Sequence, residues 1–510
     1  MKVFLLYPDR DLDTDAARPV SPNERDLVQD LELDTVLSTM AAGDTVVLDT
    51  ARQVLLAPET DPEVITFRQR VLVDCLAAPE VVRELYELAV DAIESERKVW
   101  YGIFRDHPET VLRRSVQVIE LLSDSLRRLR QLSEQYAGRF SSAGFTRLFA
   151  MLREELGEEY LATVAEHLEA LRFRRGMLMS AALGTGNKGV RYVLHRPPRR
   201  SWWDRLTGPN VPVYRFEIPA RDEAGFRALS DLEGRGVGLV ANALAQSVDH
   251  VVSFFRALRV ELAFYLGCVT LHERLAAAGR PVCFPEPVAA GESALSARGL
   301  YDACLALTVD GPVVGNDLDA DGTSLVFVTG ANQGGKSTIL RGVGLAQLMM
   351  QSGMFVAAES LRATVCGGVF THFKRAEDPT MTSGKLDEEL ARMSELADHL
   401  APGDLLLCNE SFAATNEREG SEIARQVVRA LTAAGVRVVF VTHLYDLAHG
   451  FYRQRPAGVV FLRAERRPDG RRTFRLVPGE PLPTSHGADS YRRIFGESHD
   501  TEPTAAVSRG

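Results

Sequence analysis

Apolar positions along the chain follow two regimes. Across residues 63–171 they recur every three or four residues, as in Val81, Leu85, Leu88 and Ala89 and again in Leu148, Met151, Leu152 and Leu156, the spacing of one buried helix face. Pro79, Pro108 and the Ala137-Gly138 pair mark turns between successive helices. The same spacing returns over residues 222–278, where Val248, Val251, Val252, Phe255, Leu258, Leu262 and Tyr265 keep a single long face, a length that suits a lever or strut. Pro281, Pro285, Pro287 and the Ala-Gly-Ser stretch after them read as a linker. Beyond it, to about Phe495, short and wholly apolar runs alternate with helical patterns: VFVTG, LLLCNE, VVFVTH and VVFLR predict strands of a buried parallel or mixed sheet. The first sixty residues mix shorter signals. Residues 3–8 read as a strand, 27–40 as an amphipathic helix, and 45–48 as a strand or apolar turn.

Residues 184–219 interrupt the helical pattern with a glycine-, proline- and arginine-rich insertion that contains two strand-like runs. Lys188, Arg191, Arg196, Arg199, Arg200 and Arg205 surround Trp202 and Trp203, a composition suited to phosphate contact with aromatic stacking. With no reader motif in it, the stretch also suits, and rather better, a solvated loop whose tryptophans pack on the helices. Residues 466–475 place a Pro-Asp-Gly turn between two strands, an exposed basic hairpin, and the polar, aperiodic last fifteen residues read as disordered.

Composition adds limits. The chain has 510 residues, 45% hydrophobic and 25% charged, enough for about two to four globular domains. No apolar run approaches the roughly 18 residues needed to cross a bilayer, and no basic-then-apolar leader opens the chain, so the expected compartment is the cytoplasm with no membrane partner. Cys75, Cys268, Cys283, Cys304, Cys366 and Cys408 form no C-x-x-C pair and read as buried thiols, not as a zinc site. A formal net charge of −10 argues against a non-specific coat on nucleic acid, while leaving room for local basic stripes.

The chemistry concentrates in residues 324–344, SLVFVTGANQGGKSTILRGVG. Gly330, Gly335, Lys336 and Ser337 satisfy G-x-x-x-x-G-K-[ST], with a strand before and a helix after. Glycines let successive backbone N–H groups point at a phosphate, the helix N-terminus adds its positive dipole end, and the lysine spans two phosphates. The nucleotide-binding set is therefore Gly330, Ala331, Asn332, Gln333, Gly334, Gly335, Lys336, Ser337 and Thr338, with Ser337 on a magnesium ion. LLLCNE (405–410) sets Asn409 and Glu410 at the carboxyl end of a strand, where Glu410 can polarise an attacking water. VVFVTH (438–443) sets His443 in the corresponding place, with a capping or core histidine as the alternative.

These motifs together resemble the MutS family of DNA mismatch-repair ATPases. GANQGGKST (330–338) resembles the family's G-P-N-M-G-G-K-S-T, and VVGND (313–317) its preceding strand and Asn-Asp. NESFAATNEREG (409–420) matches D-E-x-G-R-G-T-S-x-x-D-G in length, with Glu410, Thr415 and Gly420 on family positions. VTHLYDL (441–447) resembles A-T-H-Y-F-E-L, and PTSHG (483–487) the late S-Y-G. The resemblance covers about residues 299–496; more loosely, residues 63–278 resemble the family's core and lever helices. It implies a multidomain α plus α/β chain: a small mixed segment at 1–62, a helical core and lever domain at 63–290 with a short basic clamp-like insertion at 184–219, a C-terminal ABC-type P-loop ATPase domain at 291–496, and a tail at 497–510. It also implies ATP and Mg2+ as cofactors, a homodimer that sandwiches ATP, and DNA as partner.

Departures from the family shape the expected activity. Asn409 stands at the Walker B aspartate, so it reaches the metal only through water and hydrolysis is expected to be slow. The signature loop that reaches a partner's nucleotide corresponds approximately to TSGKLDEEL (382–390), where Ser383 and Gly384 either donate to a γ-phosphate or simply cap a helix. The mismatch-reading domain with its Phe-x-Glu wedge has no room before the core helices, and Phe284-Pro285-Glu286 falls in the linker. The expectation is an ATP-gated protein acting on branched or distorted DNA without single-mismatch reading, held by Arg196, Arg199 and Arg200. The alternative is an ATP-dependent protein-interaction switch that binds no DNA.

Overall fold

The computed structural model describes residues 1–13, 23–99, 107–174, 176–196, 214–331, 333–375, 384–467 and 471–483. Two compact units result: Met1–Leu12 with Ala77–Leu262, and Asp13–Leu76 with Ala263–Gly510. In chain order the helices begin with α1 (Glu24–Asp30), α2 (Leu33–Ala41), α3 (Thr45–Leu55) and α4 (Pro62–Ala77), followed by α5 (Pro79–Lys98), α6 (Pro108–Tyr136), α7 (Ala143–Glu155) and α8 (Glu158–Leu171). A hairpin, β1 (Leu178–Leu183) and β2 (Gly189–His195), precedes the 55-residue α9 (Glu223–Ala277).

The first unit is helical because its apolar residues repeat at helical spacing and its prolines stand where a helix tolerates them. Pro79 and Pro108 open α5 and α6, positions whose N–H has no partner in any case. The faces predicted from spacing are buried, Val81, Leu85, Leu88 and Ala89 on α5 and Leu148 and Leu152 on α7, and Phe140, Phe145 and Phe149 meet in one aromatic cluster. Residues 3–8 are not the strand their pattern suggests. Leu5 and Leu6 donate their backbone N–H groups at 2.5 and 3.1 Å to Glu261 Oε2, and Leu12 donates at 2.8 Å to Oε1, so a side chain of α9 takes the bonds a sheet neighbour would have made. The hairpin pairs antiparallel in the region read as an insertion, but its first strand begins before residue 184, and the described residues 214–219 after it form no strand. Of the tryptophan-arginine stretch, 197–213 lies outside the described residues, as do the tail at 497–510 and the Pro-Asp-Gly turn.

The second unit is built on two sheets. The remaining elements are β3 (Glu286–Val288), β4 (Leu295–Leu300), α10 (Ala303–Thr308), β5 (Asn316–Asp319), β6 (Leu325–Thr329), α11 (Lys336–Gln351), β7 (Ser360–Thr364), β8 (Val369–Phe373), α12 (Lys385–Ala397), β9 (Leu405–Asn409), α13 (Glu417–Ala433), β10 (Arg437–Val441), α14 (Tyr445–Gln454), β11 (Val459–Arg466) and β12 (Arg472–Pro478). A six-stranded sheet runs β12-β11-β6-β10-β9-β8, parallel except for the edge strand β12; a four-stranded sheet runs β3-β7-β4-β5. The four wholly apolar runs of the sequence are β6, β9, β10 and β11. Helix α11 touches strands of both sheets and is buried nearly all round, its buried Gln347 and Gln351 satisfied by hydrogen bonds to each other and to the carbonyls of Thr364 and Cys366. The proline-rich stretch read as a linker contributes β3, which pairs with β7.

Two N-terminal expectations change for local reasons. The helix read at 27–40 is two helices, because Glu32 adopts φ 52° and breaks the run. Residues 45–48 begin α3, not a strand, because the Asp44 carboxylate accepts from the N–H groups of Val46 and Val47 at 2.8 and 3.2 Å and caps a helix there.

Candidate functional site

Parallel register brings the chemistry to one edge of the six-stranded sheet. Val441 lies opposite Val328 on one side and Asn409 on the other, and Asn409 lies opposite Phe373, so β6, β8, β9 and β10 end level at their carboxyl ends. The residues just past those ends, Gly330 onward, Lys374, Glu410 and His443, converge at the place where ligands bind in open α/β sheets. Gln333, Gly334, Gly335, Lys336, Ser337, Thr338, Lys374, Glu410 and His443 line one open pocket of about 400 Å3.

The loop between β6 and α11 has backbone conformations its sequence was chosen to allow. Gly330 has φ +115°, and a Cβ there would stand 2.9 Å from both the backbone N and the Cβ of Ala464 on β11, so no side chain fits. Ala331 is buried behind the loop, and Asn332 lies outside the described residues. Lys336 is only 4% exposed and its Nζ donates to Gly330 O and Ala331 O at 3.0 and 3.1 Å. Burial pushes this ammonium below the usual lysine range, Glu410 pulls it back up, and the nearby Arg472 guanidinium pushes it down further. Among the described residues its hydrogen bonds go to carbonyl oxygens and its nearest stabilising charge is that of Glu410, so an anionic ligand would add a direct charged partner.

Glu410 is held in place by its backbone, with φ 55° and its N–H donating to Val441 O at 2.8 Å. Its carboxyl lies below the usual value, first through His443, then, against burial, through Lys336 and Lys374. His443 Nδ1 is 3.8 Å from Glu410 Oε1, beyond hydrogen-bond distance, so this attraction is electrostatic and not a direct bond. An ionised carboxylate and an imidazole, both about one-third exposed, thus face the phosphate loop across a space open to water. After Glu410, Phe412 is buried with φ 64°, and a Cβ at Gly420 would come within 2.4 Å of Phe412 O, so the loop 410–420 folds back tightly onto the start of α13. Thr415 Oγ1 donates to Glu419 Oε2 at 2.5 Å on this return.

Ser337 Oγ donates to Asn409 Oδ1 at 3.0 Å, so the two residues expected at a magnesium ion are in contact. Both are neutral, and among the described residues no cluster of three or more histidine, cysteine or acidic side chains is arranged for a metal. Such a neutral donor pair would fit only a cation that draws most of its charge from a bound phosphate.

Beside the cradle lies a more apolar pocket of about 370 Å3, lined among others by Pro312, Val313, Val314, Ile339 and Phe474. Phe474 is held there by β12: its carbonyl accepts from Asn316 Nδ2 at 3.2 Å, and Leu476 N–H donates to Asn316 Oδ1 at 2.6 Å. Arg472 on the same strand donates to Gln333 Oε1 at 3.1 Å. The basic hairpin is therefore joined to the phosphate loop, which its sequence did not disclose. Lys374 is the other residue missed. The rule that located Glu410 and His443, a polar residue at the end of an apolar strand, applies equally to Lys374 after VFTHF.

The remaining expected site residues are not brought together with these. Gly384 is the N-cap of α12 and lines no part of the cradle pocket; Ser383 lies outside the described residues. Arg196 follows β2 in the first unit and is ion-paired with the Glu166 carboxylate of α8, both side chains largely exposed, while Arg199 and Arg200 lie outside the described residues.

Comparison with known proteins gives two family matches: the MutS2 N-terminal domain over residues 60–278 and MutS domain V over residues 326–487. The DNA mismatch repair protein MutS of Porphyromonas gingivalis is 34% identical over 146 residues, 28% of this chain and 16% of its own length. That of Myxococcus xanthus is 31% identical over 163 residues, 31% of this chain and 18% of its own. The DNA mismatch repair protein Msh6 of Gallus gallus is 32% identical over 184 residues, 34% of this chain and 14% of its own. Each match spans less than a fifth of the relative's length.

Proposed function

The chain belongs to the MutS family, and from that premise we propose that it binds and hydrolyses ATP in an ABC-type nucleotide domain and acts on branched or distorted DNA. The observation that carries the reading is the convergence of Lys336, Glu410 and His443 on one pocket at the carboxyl edge of a parallel sheet. Lys336 and the backbone of the loop would bind the phosphates. Glu410, ionised and facing open solvent, would polarise the attacking water, and His443 would orient it. Ser337, with Asn409 through a water, would hold magnesium, which when bound neutralises developing phosphate charge. Asn409 brings no charge to that role, which makes hydrolysis slow. The apolar pocket with Phe474 suits the face of a nucleobase.

A homodimer sandwiching two nucleotides, with Gly384 and Ser383 donated in trans, belongs to the same proposal. Single-mismatch reading does not, since Phe284-Pro285-Glu286 ends in β3 and serves a sheet there. A second reading, an ATP-dependent protein switch without DNA, is favoured by one observation: the Arg196 guanidinium already has a carboxylate partner in Glu166. Binding of the purified protein to homoduplex, single-mismatch and junction DNA, with and without ATP at two salt concentrations, separates the two. Junction binding that responds to ATP supports the first reading. Absence of binding to all three DNAs supports the second.

A further inference from the structure

The carboxyl edge of the sheet carries a second lysine besides that of the phosphate loop. Lys374 follows β8, and its backbone N–H donates to Asn409 O at 3.0 Å, which fixes it beside the strand that bears Asn409 and Glu410. It lines the cradle pocket with Lys336, Ser337, Glu410 and His443. Its field is felt at Glu410, where it adds to the larger effects of His443 and Lys336. The side chain is exposed, so no buried pair immobilises it.

The charge balance of the pocket gives this position a role. The two side chains expected at the divalent ion, a serine hydroxyl and an asparagine amide 3.0 Å apart, carry no charge. Magnesium is ordinarily held through one or two carboxylates together with substrate phosphates. Neither of these two groups brings charge to the ion, and the one carboxylate lining the pocket, Glu410, is the group assigned to the water, so more of the phosphate charge is left to the protein's cations. Ammonium groups do this as point charges, with no demand on coordination geometry.

We infer that Lys374 is a second phosphate-binding cation, and that triphosphate binding by this chain depends on Lys336 and Lys374 more than on a divalent ion. This rests on the ATP reading above. The test is equilibrium binding of ATP to the intact chain by calorimetry, in magnesium and in EDTA, for wild type, Lys374→Ala, Lys374→Arg, Asn409→Asp and Lys336→Ala. Removing magnesium weakens wild-type binding by less than about threefold, whereas Lys374→Ala loses about tenfold or more in EDTA and becomes magnesium-dependent. Lys374→Arg restores most of the loss, and Asn409→Asp, which returns a carboxylate to the ion, increases the dependence on magnesium. If Lys374→Ala binds ATP in EDTA as tightly as wild type while Lys336→Ala does not bind, Lys374 has no such role and the ATP reading stands. If wild type does not bind ATP, or Lys336→Ala binds as wild type does, the ATP reading fails and this inference fails with it.

Discussion

The carboxyl edge of the six-stranded sheet and the β1–β2 hairpin both present basic residues next to short strands, yet the surroundings of those residues differ. Lys336 is nearly inaccessible, its position dictated by a glycine loop that tolerates no Cβ, by strands in fixed register and by a helix buried on almost every face. Arg196 stands on an exposed hairpin whose apolar side chains, Leu183 and Val193 among them, are themselves in solvent, and its charge is met by Glu166. Burial over-determines the first site, so that residues far apart in sequence keep fixed distances. The hairpin has no such constraint, and a phosphate there must displace an existing partner.

The contrast can be tested by substitution, starting with the largest effect. Glu410→Gln keeps the shape of the side chain but cannot polarise water, and steady-state phosphate release should fall about 10²- to 10⁴-fold; an unchanged turnover removes Glu410 from the chemistry. Phe327→Ala, beneath the cradle and in contact with Phe440, Phe451 and Phe461, should cost about 3–5 kcal/mol in urea unfolding. Val193→Ala on the hairpin should stay within about 0.5 kcal/mol. Equal costs would mean that the hairpin is covered after all.

The two units should also respond oppositely to pH. In the second, His372 is wholly buried, Nδ1 2.7 Å from Ser411 Oγ and Nε2 3.1 Å from Glu389 O, and burial first, then the Arg392 charge, lowers its pKa to about 4. The depressed value means that its contribution is complete above the unfolded-state value of about 6.5 and is lost as pH falls through about 4. In the first unit, burial raises Glu261 to about 7 despite three backbone N–H donors. This raised value means that its contribution is complete below the unfolded-state pKa and is lost as pH rises through about 7. Each is worth on the order of 3 kcal/mol. His372→Gln should flatten the acid side of the stability profile and Glu261→Gln the neutral side, as read by urea midpoints across pH 4 to 8, a range of about four units. Slopes that neither variant changes would contradict both assignments. Arg196→Ala should leave ATP binding unchanged, cost at most about 1 kcal/mol through loss of an exposed ion pair, and, if DNA is bound there, make the salt slope shallower by up to about 0.9.

What could be read from the chain was local. β6, β9, β10 and β11 were visible as apolar runs, the breaks before α5 and α6 from Pro79 and Pro108, and the turn between β6 and α11 from its glycines. Expectations failed where a distant group decided the outcome. Residues 3–8 have a strand's pattern, but their N–H groups go to Glu261, some 250 residues away. A single capping carboxylate, Asp44, turned residues 45–48 into a helix start, and Glu32 in a left-handed conformation divided the helix read at 27–40. Arg472 and Phe474 join the cradle through β12 at the far edge of the sheet, which no spacing in the sequence reveals, whereas Lys374 follows an apolar run as Glu410 and His443 do and needed only the order β8 beside β9 to be placed. Of the three arginines of the insertion, Arg196 is the one among the described residues, and it is met by Glu166.

The account stands on a nucleotide occupying the loop that begins at Gly330, and the measurement closest to that claim is equilibrium binding of ATP by the intact chain and by Lys336→Ala, with circular dichroism to verify the fold. The account predicts saturable binding by wild type and none by the folded variant. Equal binding by the two would contradict it.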